Sequence, residues 1–413
     1  MSSPLKHLPL FFLFYYQMLG GISFKIVHLS QILKRMQDKI WLSSPHMSGN
    51  EQKFVEEAFH VNWVAPLGPN VIGFENDLKN YLGNNVEVGA LSSGTAALHL
   101  GLIILGVQPG DEVLCQSMTF SASANPIRYQ GAIPIFIDSE KDTWNLCPIV
   151  LEEAIKDRIS KGKKPKVIIP VHLYGMPYQV DLVRAISEKY DIPVLEDSAE
   201  ALGSYYKGMS CGTFGTIGVL SFNGNKIITT SGGGAVVVHS KEIKDKAIFL
   251  ATQARDKAPH YQHSEIGYNY SMSNICAGIG RGQMQVLDKY VGYRRAMHIF
   301  YKQLFQDYPA VRLFTEPNDD CKSNHWLSAI TIDTAQSNGK TAEQLRLHLE
   351  NFNIESRPLW KPMHLQPVFE SFPYYGGTVA QDLFENGLCL PSGSNLTDAN
   401  RKRISDAVHQ FFK

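Results

Sequence analysis

The stretch GVLSFNGNKIITTSGGGAVVV, residues 218–238, sets a single lysine, Lys226, between two short apolar runs and just ahead of three consecutive glycines. The runs 218–222 and 235–238 are rich in β-branched and aromatic residues and read as buried strands. Their connection is therefore a loop that leaves the sheet, passes the lysine and returns through a glycine-rich turn. Burial among apolar neighbours lowers the proton affinity of a lysine from its reference of about 10.4, which frees the amine to attack a carbonyl carbon. A solvated loop lysine is the other reading of the same residues. The glycines do not have the G-x-x-x-x-G-K-[ST] spacing of a nucleotide-phosphate loop. They read as a turn that lets the backbone pass close to a bound cofactor.

Working outward, short apolar runs at residues 112–115, 133–137, 167–171 and 194–195 alternate with helical patterns and Gly/Pro turns. Continuous apolar strands of this kind are covered by helices on both faces, which predicts an α/β domain around a mostly parallel sheet. After a long helix expected over about 273–305 the texture changes, with a strand at 326–332 and a helix at 341–351. The expected organisation is an extension at 1–38, a large domain at 39–288 and a smaller C-terminal α+β domain at 289–413. A chain of 413 residues has ample length for both.

Two more segments carry chemistry. Ser92-Ser93-Gly94-Thr95-Ala96-Ala97-Leu98 opens an apolar helix running to about Leu105. The free amides and positive dipole end at such a start form an anion site, although hydroxyls there also serve as plain caps. Val194-Leu195-Glu196-Asp197-Ser198-Ala199-Glu200 is a buried strand ending in acids, at the edge where ligands of open α/β sheets bind. A capping acid is the alternative. No histidine accompanies these acids in sequence, so no metal site is expected.

Thirty-nine basic residues balance thirty-nine acidic ones, which gives no global field toward nucleic acid or an anionic membrane. The six cysteines have neither metal nor disulfide-framework spacing, so a reducing cytoplasm is expected. Residues 8–27 are apolar and aromatic. Their longest uncharged run, 8–24, falls short of the roughly 18 to 20 residues of a spanning helix, and Gln17, Gly20 and Gly21 interrupt it. The expectation is a dispensable extension or an upstream start, with Met36 as the natural one, a peripheral membrane-touching extension being the alternative, and no stable membrane insertion.

Taken in order, SGTAAL, EDSAEALG and SFNGNKIITTSGGG closely resemble the DegT/DnrJ/StrS family of sugar aminotransferases over about residues 40–412. LSSPHMSG, APLGP, CQSMTFSASANP, IDSEKDTWN, HYQHSEIGYNY, SRPLWKPMH and LCLPSGSN are most similar to its EpsN-type exopolysaccharide branch. The resemblance implies the aspartate-aminotransferase-like fold, fold type I, with pyridoxal 5'-phosphate (PLP) as cofactor. Lys226 then matches the lysine that carries the cofactor covalently, and Asp197 the partner of its pyridinium nitrogen. Gly94, Thr95 and Ser221 match phosphate-binding positions, and Phe120 the aromatic stacked on the ring. Glu200 falls where many relatives place His or Gln beside the cofactor. Asn269 matches a residue that reaches the phosphate of a partner subunit, which implies a homodimer with shared sites. The usual Arg two positions later is Ser271. Arg357, Trp360, Lys361 and His364 match the segment lining the substrate side.

The activity implied is ping-pong transfer of an amino group from an amino acid, L-glutamate, to a UDP-linked 4-keto-6-deoxy sugar with a 2-acetamido group, for surface polysaccharide. Two rivals share the fold. A PLP keto-sugar dehydratase would replace the lysine by histidine, and a non-catalytic regulator would lose Lys226 or Asp197; both residues are present.

Overall fold

The computed structural model describes residues 38–83 and 85–413, so the apolar extension read from the sequence lies, apart from Asp38, outside the described residues. Strands Glu87–Leu91, Gly234–Val238, Ile217–Ser221 and Leu195–Asp197 form one hydrogen-bonded group, and Val167–Ile169, Glu112–Gln116, Ile133–Ile137 and Tyr374–Tyr375 another. Parallel bridges from Ile168 to Val194 and from Val171 to Asp197 join them side by side. Pairings within the sheet are parallel except those of Gly234–Val238, which runs antiparallel to both neighbours. The reason lies in its connection. Parallel return requires a crossover, usually a helix, whereas the loop 222–233 that leads into this strand contains none.

Helices cover both faces, as the continuous apolar strands require. On one side Leu98, Leu100 and Leu102 of helix Gly94–Ile104 pack with Ile217, Val219 and Val236. On another, Leu151 and Ile155 of Pro148–Ser160 meet Leu114, Ile135 and Ile168. Each such side chain contributes roughly 1.5–3 kcal/mol of transfer free energy.

A second sheet, in the order Val311–Leu313, Ser328–Ile332, Gly387–Leu390, Arg357–Pro358, is antiparallel throughout. Helices Ala342–Asn351 and Asp398–Phe412 pack over it, each begun by a capping box, Thr341 with Gln344 and Thr397 with Asn400. Ile40 joins this core and bridges Ile354.

Three sequence expectations need correction. The strand Glu87–Leu91 was not foreseen, because Gly89 interrupts its apolar pattern; a Cβ there would stand 3.2 Å from both Ile248 and Val236. The single helix expected over 273–305 is two, Asn274–Met284 and Leu287–Leu304. The first is glycine-rich for close packing, since a Cβ on Gly282 would lie 2.6 Å from the Glu51 backbone. Finally, the strand expected from Trp326 begins at Ser328, which leaves Trp326 and Leu327 free to wall the cavity described next.

Candidate active site

A cavity of about 700 Å³ opens where the carboxyl ends of the central strands meet the second sheet. Ser93, Gly94 and Thr95 form its floor at the start of helix Gly94–Ile104, with Ser93 capping the Ala96 amide at 3.0 Å. The other first-turn amides have no intrahelical partner. Ser221, at the end of its strand, stands beside them, and a Cβ on Gly94 would meet its side chain at 3.1 Å. The glycine run has a tighter purpose than a turn alone. A Cβ on Gly234 would lie 2.3 Å from the Gly94 nitrogen, so this glycine lets the returning strand touch the helix start. Gly232 and Gly233 line the cavity.

Asp197 ends the strand Leu195–Asp197 and is buried. Ser123 donates a 2.6 Å hydrogen bond to its Oδ2 and the Ala199 amide one of 3.1 Å to Oδ1. Behind it, Glu196 takes no part in the cavity. It is held by His172 Nε2 at 2.6 Å and by the amides of Gly212, Phe214 and Gly215 at 2.7–2.9 Å. Burial works to raise this carboxyl, but His172 and the amides outweigh it and hold it below the usual value. Sequence proximity thus hid the histidine, which arrives from 24 residues upstream.

Lys226 reaches the cavity from the loop, its amide bonded to the Asn223 carbonyl. Nζ lies 3.3 Å from Glu200 Oε1 and 4.3 Å from the centre of the Trp326 ring. Glu200 is buried and its Oε2 accepts from the Tyr174 amide at 2.7 Å. Burial, aided by the charge of Asp197 and opposed by Lys226, raises its carboxyl to about 7. Phe120, by contrast, is 59% exposed and lies over the cavity near Trp360, with ring centres 5.7 Å apart.

Arg357, Trp360 and Lys361 line the same cavity. Arg357 is exposed and pairs with Glu355 at 2.8 Å, while Trp360 is anchored by its amide to the Tyr174 hydroxyl at 3.0 Å. His364 is not among the lining residues. Its ring bonds Ser117 Oγ at 2.7 Å and stacks on Tyr374 at 3.7 Å, and burial lowers its proton affinity. Asn269 also lies outside the cavity wall of its own chain, exposed on a segment that bridges Thr252. Ser271 bonds the Ala251 carbonyl at 3.1 Å.

Sequence reading did not single out Ser43, Ser123, Asn225 or Trp326. Ser43 and Ser123 lie inside motifs already quoted, but nothing in a linear pattern aims a hydroxyl at a carboxylate 74 residues away. The cysteines are all free, and burial pushes the Cys321 and Cys389 thiols up to about 11 and 12, away from reactivity. Among the described residues one group of potential metal donors lies close together: His298, Glu316 and His325 offer donor atoms within 4.8 Å of one another. Its two imidazoles stack nearly parallel at 3.7 Å, so their in-plane lone pairs do not converge, and Glu316 already accepts from Arg295 and His325.

Residues 45–409 match the family model of the DegT/DnrJ/EryC1/StrS aminotransferases. The chain is 48% identical over 381 residues to the Bacillus subtilis protein named as pyridoxal phosphate-dependent aminotransferase EpsN, covering 91% of this chain and 97% of that one. It is 36% identical over 369 residues to GDP-perosamine synthase of Escherichia coli O157:H7, covering 89% and 97%. Among solved structures, the PLP form of a sugar aminotransferase from Streptococcus pneumoniae matches with a TM-score of 0.82 at 26% identity, over 91% of this chain and 99% of that one. A DegT DnrJ EryC1 StrS aminotransferase from Brucella abortus matches with a TM-score of 0.81 at 27% identity, over 88% and 95%.

Proposed function

The chain belongs to the DegT/DnrJ/EryC1/StrS aminotransferase family, and from that premise we propose that it moves an amino group from L-glutamate to a nucleotide-linked 4-keto-6-deoxy sugar, of the UDP-2-acetamido type. Its fold is fold type I, its cofactor is PLP, and it is a PLP-dependent sugar aminotransferase. The residues present fit that cofactor. The helix start at Gly94 and Thr95, with Ser221 beside it, suits a phosphate, the buried Asp197 carboxylate could meet a ring nitrogen, and the Lys226 amine stands within the same cavity.

The single observation that carries the reading is the juxtaposition of Lys226, Glu200 and Asp197 at one strand edge. PLP supplies an electron sink that stabilises negative charge at the carbon next to the migrating nitrogen. Lys226 would hold the cofactor covalently, and its free amine would serve as the base and acid that moves a proton at the donor's Cα. Asp197, which accepts hydrogen bonds from Ser123 and the Ala199 amide, would pair with the ring nitrogen. Phe120 gives the ring a flat apolar face. Glu200, whose carboxyl burial raises to about 7, stands 3.3 Å from Lys226 and would neighbour the cofactor. Arg357 and Lys361 supply positive charge at the mouth for a pyrophosphate. Asn269 completes the phosphate site of a second subunit in a cytoplasmic homodimer, which accounts for its place outside its own cavity.

The experiment is to add L-glutamate to the PLP-loaded protein and follow loss of the visible band, then restore it with UDP-, dTDP- and GDP-linked 4-keto-6-deoxy sugars in parallel. Restoration by the UDP sugar with appearance of the amino sugar is expected. The E. coli relative's name makes the GDP arm the main competitor. Bleaching without recovery by any of the sugars would overturn the substrate class and leave the aminotransferase intact.

A further inference from the structure

Arg294 is a charged side chain for which the reaction as described has no use. It projects from helix Leu287–Leu304, is 1% exposed, and among the described residues has no carboxylate as a hydrogen-bond partner. Nη1 donates to the carbonyls of Trp326 at 2.5 Å and Ser392 at 3.3 Å. Nη2 donates to Ser43 Oγ at 3.0 Å and to the carbonyl of Lys226 itself at 3.4 Å. Its Nε is buried with no partner. Burial pushes the guanidinium down to about 9. An unpaired buried cation is expensive, and its field is weakly screened. That field reaches His46, whose imidazole is held below its ordinary value by burial, Lys289 and Arg294.

The groups around Arg294 converge on the peptide of the cofactor lysine. Ser43 Oγ donates to the Asn225 carbonyl at 2.6 Å, and Trp326 Nε1 donates to the same oxygen at 2.7 Å. The Trp326 ring then covers Lys226 Nζ at 4.3 Å. The carbonyls of Asn225 and Lys226 are thus gripped from the N-terminal segment, from the helix and from the lead into the second sheet. The other charged groups facing Nζ are Glu200 at 3.3 Å and, across the cavity, Asp197, Glu355, Arg357 and Lys361. Arg294 is not among the residues lining the cavity and meets the lysine at its main-chain carbonyl.

We propose that Arg294 is a positioning residue for Lys226, fixing the lysine's peptide against the second sheet and holding an unneutralised positive charge behind the nitrogen that bonds the cofactor. The inference rests on the reading of Lys226 as the attachment point. A like charge anchored 3.4 Å from the lysine's own carbonyl would disfavour a proton on the cofactor–lysine link, which would then give up its proton at a lower pH than without Arg294.

The test is the pH titration of the visible band of the PLP-loaded protein, with melting temperature measured alongside. Arg294→Gln keeps a donor for the carbonyls but no charge, and should move the midpoint upward by about one pH unit. Arg294→Lys keeps the charge and should stay within about 0.3 unit of the natural protein. Ser43→Asp places a carboxylate against the guanidinium and should also move the midpoint upward. Should Arg294→Gln fail to fold, Ser43→Asp carries the test, because it gives the buried cation a partner. An unmoved midpoint in these two, or an equal shift in Arg294→Lys, would overturn the proposal whatever happens to the melting temperature. Borohydride reduction and peptide mapping keep the premise separate. Label away from Lys226 removes the attachment reading, whereas label on Lys226 with an unmoved midpoint removes only the role of Arg294.

Discussion

The inner wall of the cavity and its rim are built by different rules. On the inner wall, Asp197, Glu200 and Lys226 are at least 88% buried at the side chain, and each has a partner within 3.3 Å. On the rim, Phe120 is more than half exposed and Arg357, itself exposed, pairs with its near neighbour Glu355. A charge fixed in low dielectric acts strongly on whatever enters, while an exposed, loosely held side chain costs little to exchange. The inner wall therefore suits the chemistry common to any amino transfer, and the rim suits the choice of sugar.

That contrast predicts a graded series of effects. The largest belongs to Lys226→Ala, which should lower turnover by at least roughly 10³-fold while dialysed protein still retains PLP through its phosphate contacts. Turnover near the natural rate would break the inner-wall assignment. Next, Asp197→Asn should slow the amino-transfer half-reaction by on the order of 10²-fold with a small change in melting temperature. Stopped-flow bleaching by glutamate separates the two, and an unchanged rate would reduce Asp197 to a strand cap.

Glu200→Gln sharpens the comparison through pH. A carboxyl raised from 4.5 to about 7 binds a proton more tightly in the folded state, so the stability it contributes is complete below about 4.5 and is lost as pH rises through about 7. Urea unfolding of the apo-protein should show a decline of up to about 3 kcal/mol across that window, discounted by the coupling to Lys226, and Glu200→Gln should flatten it. Parallel curves for the two proteins would place the titration elsewhere. The smallest effect is expected at the rim. Arg357→Ala should raise the KM for the nucleotide sugar about tenfold, or about 1.4 kcal/mol, and leave the glutamate half-reaction untouched. A matching loss in the glutamate half-reaction would erase the distinction between wall and rim.

Legibility in the sequence followed the same division. Continuous apolar runs such as Ile133–Ile137 exposed the central sheet, and Lys226 was readable because its strand–loop–strand setting is local. Glu87–Leu91 escaped because a glycine demanded by Ile248, far along the chain, broke the pattern. Ser123 and Arg294 escaped for a related reason: their partners Asp197 and Lys226 lie 74 and 68 residues away, and periodicity says nothing about such distances. His364 was placed by resemblance on the substrate side, yet a hydroxyl from Ser117 and the ring of Tyr374 hold it outside the cavity wall.

The strand Tyr374–Tyr375 sits at the end of the central sheet, where it pairs with Phe136 and Ile137. Its partners are made 238 residues earlier, so on a ribosome adding about 5–20 residues per second the edge of Ile133–Ile137 waits roughly 10–50 s for its last neighbour. Throughout that interval the nascent chain presents a row of unpaired amides and carbonyls on an apolar strand, a template for pairing with another chain. Synthesis slow relative to folding would lengthen the exposure of that edge, which ends only when Tyr374 and Tyr375 emerge.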